Sequence, residues 1–388
     1  MIVTSWIQSG LNLFRHTPSD SGALKITFMT TLGVNVGDEF IREGIRAALE
    51  RIDIPYEPLY VNKHDPRSLT EPHEDESSLV RDKYWDSDMF IQAGAPVYWH
   101  LHRGASRSVN SEWHSWLWQE RILNHSRSSP LFLNLGAGSC QPWKDNGESF
   151  LADAECTDFA RAAGRRSALT VVRDELASRI LTKLEVPHER VCCPAFLAGA
   201  RHRLANPRPE LIGVNLMPLG AHYDLRENFD RDRWTKSCES LCKSLRKLGR
   251  LVFIAHDTVE SEFSRRFARS GERVYLASSW RPYLDMYSSC QLVVANRVHG
   301  AVCASGFGVP SIILGNDTRA QIGEYIGLPI FGSADLNPTE VVECANRLLT
   351  ARAVESERLL HLREQTLNRY KELLTPLLTG VAKSKHAA

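Results

Sequence analysis

Short apolar runs alternate with longer segments of helical periodicity from Leu24 onward. This alternation is typical of parallel βαβ units, in which a helix connects one strand to the next. The predicted strands of the first half are Leu24–Met29, Glu57–Val61, Met89–Ala93, Leu131–Leu135, Leu169–Val172 and Arg190–Cys193. Those of the second half are Leu211–Leu216, Arg250–Ala255, Arg273–Leu276, Gln291–Ala295 and Ser311–Leu314. The predicted helices include Asp38–Arg51, Glu112–Asn124, Arg231–Leu248 and Val259–Ser270. The pattern therefore predicts an α/β fold with two Rossmann-like, doubly wound domains.

A polar segment between the two halves marks the predicted domain boundary. Arg201–Glu210 carries two prolines and four charged residues, which is typical of a linker. We therefore predict an N-terminal extension (1–23), a first domain (24–200), a linker (201–210), a second domain with C-terminal helices (211–380) and a disordered tail (381–388). Two such domains place a ligand cleft between them, because the carboxyl ends of parallel strands form binding crevices.

The charge balance excludes some classes of protein. The 388 residues include 47 Lys and Arg against 46 Asp and Glu, for a formal net charge of +1. There is no global positive field of the kind that nucleic-acid-binding proteins use, so any anion site must be local. The apolar stretch Gly300–Asn316 is shorter than the ~20 residues of a membrane-spanning helix and contains Gly306, Gly308 and Pro310. We predict no integral membrane segment, and peripheral membrane contact stays open.

The nine cysteines lie between Cys140 and Cys344 without CxxC spacing or a Cys/His cluster. This spread does not predict a structural zinc site, and we expect buried, reduced thiols in a cytoplasmic protein.

Two loops of the first half follow predicted strands and open predicted helices. In the first, Asn35, Gly37 and Asp38 lie in a glycine-containing turn whose spacing fits neither a dinucleotide fingerprint nor a P-loop. This turn could bind an anion, or it could be a tight turn with Asp38 as the helix cap. In the second, Arg173 leaves a strand just before Asp174. Its guanidinium could reach the cleft or form a structural ion pair, and both interpretations stay open.

A loop of the second half carries the strongest chemical signal. A buried strand ends at Asn296, and Arg297, His299 and Gly300 then form the turn into an apolar helix. An arginine supplies a planar fork for a carboxylate or phosphate, and histidine can transfer protons near neutral pH. Asp317 ends the following strand on the same rim. The spacing therefore predicts an anion-binding site with a proton carrier beside it.

In their order along the chain, these motifs resemble the polysaccharide pyruvyl transferase family. The matching residues are Asn35-x-Gly37-Asp38, Arg173-Asp174 with Ser178, Ile212-Gly213-Val214-Asn215, Ala255-His256-Asp257, Asn296-Arg297-x-His299-Gly300, Gly308-x-Pro310 and Asp317. The sequence departs from the family pattern at Ala93-Gly94-Ala95-Pro96, where the family has a glycine cluster, and at Cys193-Pro194, where an Asp-Pro is expected.

The resemblance implies a GT-B-like architecture and a reaction that moves pyruvate from phosphoenolpyruvate onto two hydroxyls of a sugar or glycan, forming a ketal and releasing phosphate. That chemistry needs an acid for the enol carbon, donors for the donor's anionic groups and a base for the hydroxyls. By the motif match, Arg297 and His299 contact the donor, with His299 as the acid/base. Arg173 is a second anion clamp, and Asp38 orients an acceptor hydroxyl.

The same resemblance makes Asn35, Gly37, Asn296, Gly300, His256 and Asp317 candidate substrate-binding residues. It implies no metal, and no cofactor apart from phosphoenolpyruvate as co-substrate.

Two other functions fit the sequence. One is a GT-B glycosyltransferase that uses a nucleotide-sugar, because an Arg/His cleft also suits a diphosphate. The other is a non-catalytic sugar- or anion-binding subunit.

Overall fold

The computed structural model describes residues 22–32, 35–63, 87–99, 118, 122–124, 130–202, 210–220 and 229–387. In this part of the chain twelve strands form two parallel sheets of six strands each. Helices flank both sheets, so both faces are covered and the central strands are buried along nearly their whole length.

The first sheet is built from the N-terminal half and has the strand order β2-β1-β3-β4-β5-β6. Its strands are β1 (Leu24–Thr30), β2 (Tyr56–Asn62), β3 (Met89–Trp99), β4 (Leu131–Cys140), β5 (Leu169–Val172) and β6 (Glu189–Arg190). The helices described with it are α1 (Val36–Glu50), α2 (Glu148–Leu151), α3 (Ala154–Arg166), α4 (Glu175–Lys183) and a 3₁₀ helix, Pro194–Arg201.

The second sheet has the order β12-β11-β10-β7-β8-β9. Its strands are β7 (Leu211–Asn215), β8 (Arg250–Ile254), β9 (Arg273–Tyr275), β10 (Leu292–Ala295), β11 (Ser311–Gly315) and β12 (Ile330–Gly332). The helices are α5 (Arg231–Leu245), α6 (Thr258–Arg265), α7 (Arg281–Ser288), α8 (Val298–Gly306), a 3₁₀ helix (Thr318–Gln321), α9 (Ile322–Ile326), α10 (Pro338–Thr350) and α11 (Arg352–Ala387).

The predicted fold class is confirmed, since each half forms a doubly wound parallel sheet. The sequence did not predict the short strand β12, and β6 ends at Arg190 instead of Cys193 because the 3₁₀ helix starts at Pro194. Most of the predicted helix Glu112–Asn124, the linker residues 203–209 and residues 1–21 lie outside the described residues.

The C-terminal helix α11 corrects the prediction of a disordered tail. It continues to Ala387, through the residues predicted to be a disordered tail. The Lys385 ammonium donates to the Asp88 carboxylate at 2.8 Å, and the Tyr370 hydroxyl donates to the Cys192 carbonyl at 3.2 Å. Helix α11 was assigned to the second domain, and it contacts both domains. These two bonds connect it to the first, and Arg358 and Arg363 donate to the Ile326 and Gly306 carbonyls of the second. The tail has the polar composition of a disordered segment but is held by long-range contacts that composition does not reveal.

A continuous apolar core joins the two halves. It includes residues of α1, the 3₁₀ helix Pro194–Arg201, α8 and α11. All nine cysteines are unpaired and buried, as predicted. Among the described helices, none combines the length and the apolar character needed to cross a membrane.

Candidate active site

A cavity lies where the two sheets present their topological switch points to each other. In the first sheet the strand order reverses between β1 and β3, since β2 is added on one side of β1 and β3 on the other. In the second sheet it reverses in the same way between β7 and β10. Ligands of doubly wound proteins bind beyond the carboxyl ends of the strands at such points. The loops after β1 and β10 contribute to the cavity wall, and nine of the ten predicted site residues line it.

Arg173 is a fully buried cation in the wall of this cavity. It directly follows β5, and its backbone N–H is held by the Ala137 carbonyl at 2.9 Å. The side chain is 0% exposed, and none of its three guanidinium nitrogens makes a hydrogen bond in the described part of the chain. The neighbouring Asp174 interacts with it electrostatically. However, the Asp174 carboxylate oxygens accept hydrogen bonds from the Ala177 N–H, the Ser139 N–H and the Ser139 hydroxyl. The guanidinium is therefore available to an anionic ligand.

Asp38 forms a buried ion pair with Lys63. Its Oδ2 lies 2.7 Å from the Lys63 Nζ and accepts a hydrogen bond from the Thr31 hydroxyl at 2.6 Å. Burial alone would raise the pKa of Asp38, but Lys63 holds this pKa well below its usual range. A carboxylate that holds its charge so firmly is a weak base. Asp38 therefore fixes Lys63 and adds negative charge near His299, and its position suits this better than proton transfer.

His299 stands in the first turn of α8 and reaches across to the first domain. A Cβ atom placed on Gly37 would lie 2.6 Å from the His299 Nδ1, so a glycine is needed for this approach. Nε2 is buried without a hydrogen-bond partner among the described residues. Burial lowers the pKa of His299 well below its usual value, Arg173 lowers it further, and Asp38 opposes the shift. The imidazole is therefore neutral near pH 7 when no ligand is bound.

Asn35 accounts for the local geometry of this approach. As the N-cap of α1, its side-chain oxygen accepts a hydrogen bond from the Gly37 N–H at 3.1 Å. Asparagine is among the preferred residues at this position. The sequence pattern made Asp38 a candidate cap of this helix. In the structure Asn35 is the N-cap, and Asp38 lies in the first turn.

Arg297 differs from its predicted role. Its Nε donates to the Glu260 carboxylate at 2.5 Å and its Nη2 donates to Asp257 at 2.7 Å. The fork predicted to clamp the donor thus binds two carboxylates of the second domain. The Arg297 N–H is also fixed, by the side-chain oxygen of Asn215 at 2.7 Å. Arg297 lines the cavity, but its clearest function in this structure is to hold the ends of β7 and β10 and the start of α6 together.

His256 is the second imidazole in the cavity wall. Its Nε2 lies 2.7 Å from the Tyr287 hydroxyl, and its Nδ1 is buried without a hydrogen-bond partner in the described residues. The ring packs edge-on against Phe40 of the first domain, with centroids 6.3 Å apart. Burial lowers the pKa of His256 well below its usual value, and Arg297 and His299 lower it further.

Two predicted residues have structural functions in the site. The Asn296 amide donates to the carbonyls of Gly220 and Leu314, both at 2.9 Å, and its oxygen accepts from the Met217 N–H at 3.0 Å. It therefore connects loops at the end of the second sheet. Gly300 does not line the cavity, because it packs against the ring of Tyr287, where a side chain would collide with the phenol.

The rim of the cavity contains one residue pair and one polar group of note. Asp317 caps the 3₁₀ helix Thr318–Gln321 and accepts from Arg319, with Nε at 2.8 Å from Oδ1. The side-chain oxygen of Asn316 is buried and accepts no hydrogen bond from the described residues. Asn316 thus offers an acceptor to a hydroxyl group in the cavity.

Sequence reasoning missed Lys63 and Arg319. Lys63 comes directly after an edge strand, and no neighbouring motif distinguishes it from a surface lysine. Its burial follows from the position of β2 beside β1, which brings it to Asp38. Arg319 lies two residues beyond Asp317 and could have been noted as a partner at the predicted strand end.

Known protein families and structures give a consistent picture. A family model for polysaccharide pyruvyl transferases matches residues 35–318. No curated protein matches the chain at a significant level.

Solved structures show the same fold at low sequence identity. One is a Listeria monocytogenes protein described as a UDP-N-acetylglucosamine 2-epimerase (TM-score 0.53, 14% identity, covering 87% of this chain and 91% of that one). Another is the UDP-GlcNAc 2-epimerase of Neisseria meningitidis bound to UDP-GlcNAc (TM-score 0.51, 9% identity, 92% and 100%).

These likenesses establish a GT-B-like architecture. The family match covers most of the chain and includes both loops that meet at His299 and Gly37. The protein is therefore a member of the polysaccharide pyruvyl transferase family, an enzyme family.

Proposed function

We propose that the protein transfers the pyruvyl group of phosphoenolpyruvate to two hydroxyls of a sugar in a polysaccharide or glycan precursor. The product is a cyclic ketal, and phosphate is released. The observation that carries this proposal is the Arg173 guanidinium, which is buried in the cavity wall without a hydrogen-bond partner among the described residues. A buried charge without hydrogen bonds is expensive, and an anionic ligand would supply those hydrogen bonds.

Phosphoenolpyruvate fits the chemistry of this cation. It carries a carboxylate and a phosphate on one carbon, and a guanidinium binds either group through two parallel hydrogen bonds. The buried ammonium of Lys63 interacts electrostatically with Arg173, so both cations contribute to one local positive field. Asp38 neutralises Lys63 through their ion pair, and Arg173 is left as the principal attraction for the donor.

His299 is the proposed proton carrier of the first addition. When the donor binds, its negative charge opposes the effect of Arg173 and raises the pKa of the imidazole. The imidazolium then gives its proton to the methylene carbon of the donor. The neutral imidazole takes the proton of the first sugar hydroxyl as that oxygen bonds to the central carbon. The carbon of the enol thus becomes a methyl group, and His299 returns to its protonated form.

A phosphate-release assay tests this proposal. Purified protein is incubated with phosphoenolpyruvate and a panel of sugars and oligosaccharides, and the products are examined by mass spectrometry for a pyruvyl ketal. We expect phosphate release that requires both substrates. Release of a nucleoside diphosphate from nucleotide-sugar donors, without any ketal product from phosphoenolpyruvate, would favour a glycosyltransferase and refute the proposal.

Variants of one residue link the assay to the cavity. We expect Arg173→Met to abolish measurable saturation by phosphoenolpyruvate. Arg179 is an exposed arginine of α4, the helix that follows Arg173. Arg179→Met is the matched control that should keep wild-type kinetics.

A further inference from the structure

The cavity contains two imidazoles, and the first addition uses only one of them. His299 and His256 come from different loops of the second domain, after β10 and after β8. Both line the cavity, and each has one ring nitrogen that is buried without a hydrogen-bond partner in the described part of the chain. The two rings are close enough to influence each other electrostatically. The site therefore has two potential proton acceptors.

The proposed reaction needs two proton transfers from sugar hydroxyls. The first proton ends on the methylene carbon, which becomes the methyl group. The second is released when the second hydroxyl oxygen bonds to the central carbon and the bond from that carbon to the phosphate oxygen breaks. The departing phosphate would leave as a trianion unless a proton reaches it. A second proton carrier is therefore needed on the path between hydroxyl and phosphate.

We infer that His256 is this second proton carrier, an inference that rests on the proposed function. Nδ1 takes the proton of the second hydroxyl as the ketal closes, and it passes that proton to the departing phosphate oxygen, which leaves as hydrogen phosphate. His256 is neutral before and after the step. Both hydroxyl protons are then accounted for, one in the methyl group and one in the phosphate.

Tyr287 prepares His256 for this function. The His256 Nε2 lies 2.7 Å from the phenol oxygen. We assign the tautomer in which the Nε2 N–H donates to that oxygen and the lone pair is on Nδ1. Burial raises the pKa of Tyr287 well above its usual value, so the phenol stays neutral. The ring of Tyr287 is fixed in turn by its close contact with Gly300. Tyr287 is therefore a positioning residue that acts through His256.

The backbone contact at His256 allows the function of its ring to be tested without loss of the loop structure. The His256 N–H donates to the Glu260 carboxylate at 2.9 Å, so the backbone is held independently of the ring. Replacement of the ring by an asparagine side chain leaves this backbone bond in place. The variant His256→Asn therefore removes the proton carrier while the loop keeps its main anchor.

The test separates the two halves of the reaction. Wild type, His256→Asn, His299→Asn and Tyr287→Phe are each incubated in D₂O with phosphoenolpyruvate and an accepted sugar. Phosphate release reports the complete reaction, and deuterium in recovered phosphoenolpyruvate reports reversible protonation of the methylene carbon. His188→Asn is the matched control, because His188 binds Ser178 and the Val186 carbonyl away from the cavity. The thermal unfolding of each variant is recorded, and His256→Gln replaces His256→Asn if that variant does not fold.

We expect His256→Asn to lower phosphate release about 10²- to 10⁴-fold, the range of general acid–base catalysis, while deuterium exchange stays within about threefold of wild type. Tyr287→Phe should lower phosphate release about tenfold and keep exchange. His299→Asn should lose both signals, and His188→Asn neither.

Three results would overturn the inference. An active wild type with a His256→Asn variant of normal phosphate release leaves the proposed function intact and removes His256 from it. Equal loss of exchange and phosphate release in that variant shows a structural role. A wild type that uses no phosphoenolpyruvate with any sugar overturns the proposed function, and this inference falls with it.

Discussion

Replacing Arg173 by methionine should make the ligand-free protein more stable. The guanidinium is fully buried and makes no hydrogen bond with the described residues, whereas its neighbour Asp174 is satisfied by three other groups. An isolated buried ion costs several kcal/mol, and its electrostatic interaction with Asp174 offsets part of that. We expect a net gain of about 2 kcal/mol in the free energy of unfolding, because methionine fills much of the same volume without a charge.

This gain has a measurable size in thermal unfolding. At about 2.1 cal/mol/K of unfolding entropy per residue, a chain of this length that unfolds as one unit shifts its Tm by roughly 2–3 °C for 2 kcal/mol. Phosphoenolpyruvate at about 100 times its Kd stabilises a binding protein by about 2.7 kcal/mol. The donor should therefore raise the Tm of the wild type by a similar 3 °C or so and leave that of Arg173→Met unchanged.

The assay is calorimetry of both proteins with and without phosphoenolpyruvate. The variant should melt higher in the absence of donor, and the two proteins should become about equal, or reverse in order, at saturation. Arg179→Met serves as the control, with neither change. A ligand-free variant that melts several degrees below the wild type would show that Arg173 is a structural cation, and the reasoning would then be wrong.

Three further predictions follow from the same geometry. Gly37→Ala places a Cβ 2.6 Å from the His299 Nδ1. It should reduce turnover by about 10²-fold or more, because a catalytic group displaced by about 1 Å loses that much activity. The control Gly380→Ala changes a helical glycine whose Cβ would meet no atom within 4 Å, and it should keep full activity in the same assay. Ala95 has φ 124°, a region that favours glycine, so Ala95→Gly should raise the free energy of unfolding by about 1 kcal/mol in urea titrations, and an unchanged or lower value would contradict this. Because the pKa of His299 is lowered in the folded protein, the unfolded chain takes up a proton at this residue as the pH falls below about 6.5 and the folded chain does not. The free energy of unfolding of the wild type should therefore decrease towards pH 5 by up to about 1.4 kcal/mol per pH unit more than that of His299→Asn. Equal slopes for the two proteins would contradict this.

The fold and the positions of the site loops could be predicted because both depend on local pattern. Alternating apolar and helical segments define the strands, and polar residues directly after a strand mark its carboxyl end. Arg173 and His299 were found in this way, as residues that follow β5 and β10. The topology then brings such residues together, since strand ends of a parallel sheet lie on one edge.

The partners of these residues could not be predicted, because they depend on contacts between distant segments. Arg297 has the residue type of a donor clamp, but Glu260 lies 37 positions away and takes its fork. Lys63 lies 25 positions from Asp38 and carries no motif of its own. The helix α11 resembles a solvated charged segment, yet it packs on the first domain through Tyr370. Sequence pattern identifies which side chains reach the cleft and does not reveal which of them are already paired.

That distinction explains how a chain of nearly zero net charge can hold a selective anion site. Lys63 is neutralised by Asp38, Arg319 by Asp317, and Arg297 by two carboxylates. Arg173 lacks such a hydrogen-bonded carboxylate among the described residues, so the local positive charge is concentrated at its guanidinium. Burial lowers the pKa of His299, and the same cation lowers this pKa further, so the imidazole is neutral in the ligand-free site. Binding of an anionic donor would thus satisfy the buried charge and restore the proton affinity of the imidazole in one event, and the acid needed for the first step would form only when the donor is in place.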